Sequence, residues 1–234
     1  MKKIVLLTIL TLSTLLIAQQ TDKTIKAGAG VSYLAPTAEL GNRFLSTPGF
    51  YLKVGKSISE TWTWSGTVEY FKFDKINSDM AFVENSYTIG AEQKKVKTSL
   101  TGLDMSLTVA GVSVVADYKV FDAGVLHANL SGGFGIYNWV YQRAAYVDSV
   151  FYINGATKTG VDKIDAPAIS QKDWSGGFRL GLEIVVDIYG PLKFNAAAYY
   201  KNIIAELFMS LKLGQQNVAS FQMGEFTAGV SAEF

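Results

Sequence analysis

The sequence predicts an all-β chain: an eight-stranded antiparallel up-and-down transmembrane β-barrel with a cleaved N-terminal signal peptide. Three observations predict it. An alternation of apolar with small or polar side chains recurs eight times. Short and long connections alternate strictly between those segments. The chain opens on a basic, then apolar stretch of export-signal length.

The opening stretch is MKKIVLLTILTLSTLLIAQQ. Lys2 and Lys3 form a basic start, and Ile4 to Ile17 an apolar core of about 14 residues, short for a spanning helix. Cleavage is expected after Ala18, giving residues 1–18 as signal peptide and 19–234 as barrel; a retained membrane anchor is the alternative. Losing two lysines takes 21 basic residues to 19 against 20 acidic ones, so the exported chain is near neutral and nucleic acid is not an expected partner. With no cysteine among 234 residues there is no disulfide, thiol catalysis, thiolate metal site or lipidated N-terminal cysteine. Twenty-two glycines against four prolines suit strands and turns.

Taken in order, Ala27, Ala29, Val31 and Tyr33 alternate with Gly28, Gly30, Ser32 and Leu34. Phe50, Leu52 and Val54 alternate with Tyr51, Lys53 and Gly55. Trp62, Trp64, Gly66, Val68 and Tyr70 oppose Thr61, Thr63, Ser65, Thr67 and Glu69. Ala110, Val112, Val114, Ala116 and Tyr118 oppose Gly111, Ser113 and Asp117, with Val109 and Val115 blurring the polar side. Leu126, Ala128, Leu130, Phe134 and Ile136 oppose His127, Asn129, Ser131 and Tyr137. Trp174, Phe178, Leu180, Leu182 and Ile184 oppose Ser175, Arg179, Gly181 and Glu183. Leu192, Phe194, Ala196, Ala198 and Tyr200 oppose Lys193, Asn195, Tyr199 and Lys201. Phe226, Ala228, Val230, Ala232 and Phe234 close the series against Thr227, Gly229, Ser231 and Glu233.

SISE, KVFDA and IYGP are hairpin-sized links, whereas the other four connections run to about 14, 29, 34 and 20 residues. In a meander this places every long loop at one end, and every short turn with both termini at the other. Eight antiparallel strands leave two edges unless the sheet closes, hence a barrel.

Alternation alone does not choose between a lipocalin-like soluble barrel, apolar inside, and a membrane barrel, apolar outside. Loop asymmetry and aromatic girdles favour apolar outside. Trp62, Trp64, Tyr118 and Phe234 fall towards the turns; Tyr33, Phe50, Tyr70, Trp174, Tyr200 and Phe226 fall towards the loops. The other face collects four basic and four acidic residues: Lys53, Glu69, Asp117, Arg179, Glu183, Lys193, Lys201 and Glu233. A lumen can pair such charges, whereas lipid would penalise basic ones at mid-membrane by ~2–4 kcal/mol.

These features together resemble the small outer-membrane barrels of the OmpA, OmpX and OmpW type. The stretch LAPTAELGNRFLSTPGFYLKVGKSIS is similar to the first loop and second strand of the outer membrane protein beta-barrel domain families. The resemblance implies a Gram-negative outer-membrane location with periplasmic termini, and contacts with outer-membrane lipids or lipopolysaccharide. It also implies recognition by the barrel assembly machinery through Phe226 and Phe234. The resemblance fixes the class of barrel rather than an activity, and a monomeric, porin-like chain is expected; with one histidine, no cysteine and no D-x-D-x-D-G loop, only scattered carboxylates such as Asp162 and Asp165 remain, and no cofactor or metal is expected.

Candidate chemistry centres on His127, the only histidine, on the inward row with Asn129 and Ser131. Pairing with Ser131 or Asp117 would suggest acyl chemistry; lying within a polar plug would make it structural, and no enzyme is expected. Arg179 and Glu183 are read either as an ion-selective constriction or as part of a salt-bridge network filling the barrel. In the second loop, Lys94, Lys95 and Lys97 are either a lipopolysaccharide-phosphate contact or a solvated run. In the third, YVDSVFYINGATK suggests a hairpin above the membrane, turning at Asn154-Gly155. The expected function is a surface scaffold presenting long loops for adhesion or contact with an extracellular ligand, its lumen plugged by polar side chains. A narrow channel for small solutes and a lipid-modifying enzyme are the alternatives.

Overall fold

The structure is a computed structural model and describes residues 24–154 and 156–234. The signal-peptide reading of residues 1–18 and the turn residue Gly155 therefore lie outside the described residues. Eight strands close into a barrel: β1 (Ile25–Pro36), β2 (Thr47–Ser57), β3 (Trp62–Phe73), β6 (Met105–Asp122), β7 (Leu126–Arg143), β10 (Ile169–Tyr189), β11 (Leu192–Ile203) and β12 (Phe221–Glu233). Each pairs antiparallel with its neighbours, and β1 joins β12 with Tyr33 opposite Phe226 and Ala27 opposite Ala232. All eight expected strands are present, each longer than its alternating kernel.

The closing contact lies at the end of the chain. The Phe234 amide donates to the Ile25 carbonyl at 2.8 Å, and the Ile25 amide donates back at 2.9 Å. Its ring stays outside the barrel, 76% exposed.

Burial follows the alternation. On β3, Trp62, Trp64, Val68 and Tyr70 are exposed while Ser65, Thr67, Glu69, Phe71 and Phe73 are buried. Outward apolar side chains form a continuous exposed belt, far more than a water-soluble surface carries. Its rim aromatics interact across strands: Trp62 with Tyr118 at 4.9 Å between ring centroids, Phe50 with Tyr70 at 5.3 Å. Apolar side chains face lipid and polar ones face the lumen.

Two features depart from the expected pattern. The loop half of the lumen is apolar: Leu34, Phe71, Phe73, Leu107, Val109, Tyr137, Trp139, Tyr141, Ile203, Phe221 and Met223 fill it. Val109, which blurs a polar row in sequence, belongs to this core. The expectation of a lumen plugged by polar side chains holds only for its middle. The longer connections are also structured. Alongside the expected hairpin β8 (Tyr146–Asn154) and β9 (Thr157–Ala166) stands a second, β4 (Phe82–Ile89) and β5 (Glu92–Ser99). A short helix α1 (Ala38–Arg43) and a 3₁₀ turn at Leu211–Leu213 lie among them. Ala81, Val83, Val96, Tyr146, Val150 and Ile164 carry the lumenal core up between the hairpins. The Tyr87 hydroxyl of one hairpin donates to Asp162 of the other at 3.0 Å.

The barrel is taller on one side. β6 and β7 have 18 residues and β10 has 21, against 12 in β1. A membrane crossing uses roughly 9–11.

Candidate functional site: the lumenal charge layers

The closed register aims the polar rows of all eight strands into one narrow space. Nearest the apolar core, fully buried Lys201 of β11 pairs with Glu69 of β3 and, at 2.9 Å, with Glu225 of β12. Arg179 of β10 lies beside them. Its guanidinium stacks 4.8 Å from the Tyr199 ring centroid, and its Nη2 donates to the Thr67 hydroxyl at 3.3 Å.

Below this, Lys53 of β2 lies between Asp117 of β6 at 2.9 Å and Glu183 of β10 at 3.1 Å. Both carboxylates have further donors: the Ser131 hydroxyl reaches Asp117 at 2.5 Å, and the Asn129 amide reaches Glu183 at 3.1 Å. The Asn195 amide donates to the Tyr51 hydroxyl at 2.8 Å. Close approach of backbone makes room for that ring: a Cβ on Gly30 would sit 2.7 Å from the Tyr51 hydroxyl.

At the turn end the charges form a rim. Lys193 pairs with Asp187 at 3.0 Å and Glu233 at 2.7 Å, and Lys26 meets Glu233 at 3.4 Å. His127 stands between Asp122 at 3.2 Å and Asp187 at 3.4 Å. Between rim and middle layer lies a cavity of about 620 Å³, lined among others by Tyr51, Lys53, Asp117, His127, Glu183 and Asn195.

Of the residues expected in the lumen, Lys53, Glu69, Asp117, Arg179, Glu183, Lys201, Lys193, Glu233 and His127 all face inward. Arg179 and Glu183 have separate partners in different layers: Glu183 meets Lys53, and Arg179 meets Tyr199 and Thr67. His127 meets carboxylates, and Ser131 instead donates to Asp117, so the histidine–serine pair needed for acyl chemistry is not assembled here. Glu225 escapes the sequence reading, which starts its strand at Phe226; its parity with Thr227 and Gly229 is the signal that places it inward. Asp122 and Asp187, at turn ends, carry no such signal. In the hairpins, Lys94 pairs with Glu92, Lys95 lies 3.7 Å from Glu84, and Lys97 covers the Phe82 ring at 3.6 Å. Each lysine of the run thus has a neighbour within its own hairpin, two of them carboxylates and one an aromatic ring.

A closed eight-stranded antiparallel barrel, polar within and apolar without, is the fold of the small outer-membrane barrels. No protein-family model and no curated protein matches the chain. Among solved structures, it is similar to a major outer membrane protein from Thermus thermophilus. That match has a TM-score of 0.52 at 7% identity and covers 92% of this chain and 100% of that one. OprG from Pseudomonas aeruginosa matches with a TM-score of 0.47 at 10% identity, covering 90% and 95%. Ail of Yersinia pestis, in complex with the heparin analogue sucrose octasulfate, matches with a TM-score of 0.47 at 11% identity, covering 92% and 100%.

Proposed function

We propose that the protein is a monomeric surface scaffold of a Gram-negative outer membrane, exported through the signal peptide 1–18 and holding its two hairpins outside the cell for contact with an extracellular ligand. The observation that carries this reading is the shared core. The apolar side chains filling the loop half of the lumen continue between β4–β5 and β8–β9, so the barrel and its hairpins are one packed body. A conduction path would need that core to open, whereas a contact surface needs it closed. The charge layers beneath hold the strands in register, and His127 is structural rather than catalytic. Phe234 and Phe226 serve insertion, as lipid-facing aromatics of the last strand.

The test is single-channel recording from the refolded chain in a planar bilayer, with Arg179→Ala alongside. Insertion without current supports the scaffold. Discrete current steps that change in Arg179→Ala would replace it with the second reading, a narrow channel. That reading draws on the 620 Å³ cavity behind the turn-end rim.

A further inference from the structure

The cavity behind the turn-end rim is bounded by more carboxylates than ammonium groups. Its floor is a single ammonium between two carboxylates, Lys53 with Asp117 and Glu183, so that layer carries net negative charge. At the rim, Lys26 and Lys193 share Glu233, Lys193 also holds Asp187, and Lys119 holds Asp122 at 2.9 Å. Glu60, on the exposed β2–β3 turn that borders the cavity, adds a further carboxylate. Among the described residues, six carboxylates thus line the space or brace its lysines, against the four ammonium groups of Lys26, Lys53, Lys119 and Lys193. Even with His127 charged, a carboxylate stays in excess. A cleft with unmatched charge of one sign attracts the other.

A second observation points the same way. Asn195 of β11 is 7% exposed and lines the same cavity. Its amide nitrogen donates to the Tyr51 hydroxyl at 2.8 Å, while its carbonyl oxygen has no hydrogen-bond partner. A buried acceptor without a donor is destabilising, and a bound N–H group supplies what this wall lacks. Register places Asn195 opposite Val185 of β10, midway between Glu183 and Asp187. Those two carboxylates are four residues apart on one strand, roughly 13 Å between backbones, with the apolar Val185 between them. Tyr51 and Ile58 extend that apolar part of the wall. A bare metal ion does not match the arrangement: among the described residues no group of three His, Asp or Glu side chains is placed to hold one.

The geometry points to a binding site for a small aliphatic diamine in the turn end of the lumen. One ammonium lies beside Glu183 and the Asn195 carbonyl, the other beside Asp187 at the rim, and the methylene chain passes over Val185. Two positive charges match the difference between six carboxylates and four lysines. An anion would meet that surplus unfavourably, and a neutral alcohol would leave it unmatched. The site goes beyond the scaffold reading: it lies at the opposite end of the barrel from the hairpins and stands whether or not they meet a ligand. Equilibrium binding here and conductance in a bilayer therefore fail independently.

The probes are pentanediamine, aminopentanol, pentanediol and glutarate, one carbon chain with falling charge, titrated calorimetrically into the refolded full chain in detergent micelles near neutral pH. Heat-modifiable gel migration confirms that each variant is folded. The diamine should bind once per chain and roughly tenfold more tightly than aminopentanol, with no binding of the diol or of glutarate. Glu183→Gln removes one carboxylate charge and should weaken the diamine roughly tenfold. Lys119→Gln enlarges the negative surplus and should tighten it about threefold. Loosened packing would weaken both variants, so opposite signs separate charge matching from damage. Absence of diamine binding, equal binding of pentanediol or glutarate, or a Lys119→Gln variant that binds the diamine no more tightly would each overturn the assignment.

Discussion

Lys53 and Glu183 meet at 3.1 Å across the lumen, joining β2 to β10, strands with no backbone hydrogen bonds between them. The same ammonium holds Asp117 on β6. One side chain thus ties three separate staves of the barrel, a cross-link that neighbouring-strand pairing cannot supply.

The two buried lysines should differ in what they contribute. Lys201→Met strands Glu69 and Glu225 away from water; Glu69 Oε1 already lacks a hydrogen-bond partner. Breaking such a pair typically costs about 3–5 kcal/mol. Lys53→Met should cost less, because Ser131 and Asn129 still serve its carboxylates and the cavity adjoins them. Urea unfolding of the refolded chain in lipid vesicles compares the two. A Lys53→Met variant less stable than Lys201→Met would contradict the layering.

Phe221 and Phe226 stand on the same strand with opposite facings: Phe221 is fully buried with its ring 5.4 Å from that of Trp139, while Phe226 is 55% exposed. Phe221→Ala should destabilise by about 3–5 kcal/mol, and Phe226→Ala by far less. The same unfolding measurement checks this, and equal losses would mean that the facing of β12 is misassigned.

Phe234→Asp should reduce insertion yield more than Glu233→Gln does, although Glu233 has two lysine partners and the Phe234 side chain projects into the exterior. Near the interface a lipid-facing charge costs only about 0–1 kcal/mol, so a large loss of yield with near-normal stability of the folded fraction would locate the defect in assembly. Yields of folded protein in cells and into vesicles, measured for both variants, decide it; equal yields remove the special role of the last side chain.

Tyr146, on the β8–β9 hairpin, donates its hydroxyl to Asp148 at 3.0 Å and lies 3.3 Å from the Thr101 carbonyl. Burial first, and the neighbouring carboxylate second, push its phenol up to about 12. A group raised in the folded state contributes stability that is present below the unfolded value near 10 and is lost as pH climbs through about 12. Ultraviolet titration should therefore show a late tyrosine near pH 12, moving down in Asp148→Asn. No movement would remove the carboxylate from the account.

The strands are legible because one face of each meets lipid, and that constraint writes a two-residue period into the sequence. Where it lapses, legibility lapses. Residues such as Phe71, Phe73 and Leu107 are apolar although they face inward, so the alternation fails at the loop ends of β3 and β6 and marks those strands shorter than they are. The β4–β5 hairpin is mostly exposed on both faces, so nothing in Glu92–Ser99 distinguishes strand from a solvated charged run. Parity identifies the inward charges, but pairing depends on register around a closed circle, so the partners of Arg179 and Glu183 are not legible from their spacing.

The unequal strand lengths bear on how the protein meets other molecules. β6, β7 and β10 run well past the hydrocarbon layer, carrying the hairpins on a hydrogen-bonded wall rather than on tethers. A partner would then encounter groups already fixed in height and orientation and would bear little of the ordering entropy that a slack loop imposes on association. Such a surface favours recognition of a matching shape over accommodation of many, and its strength would depend little on how long the connecting segments are.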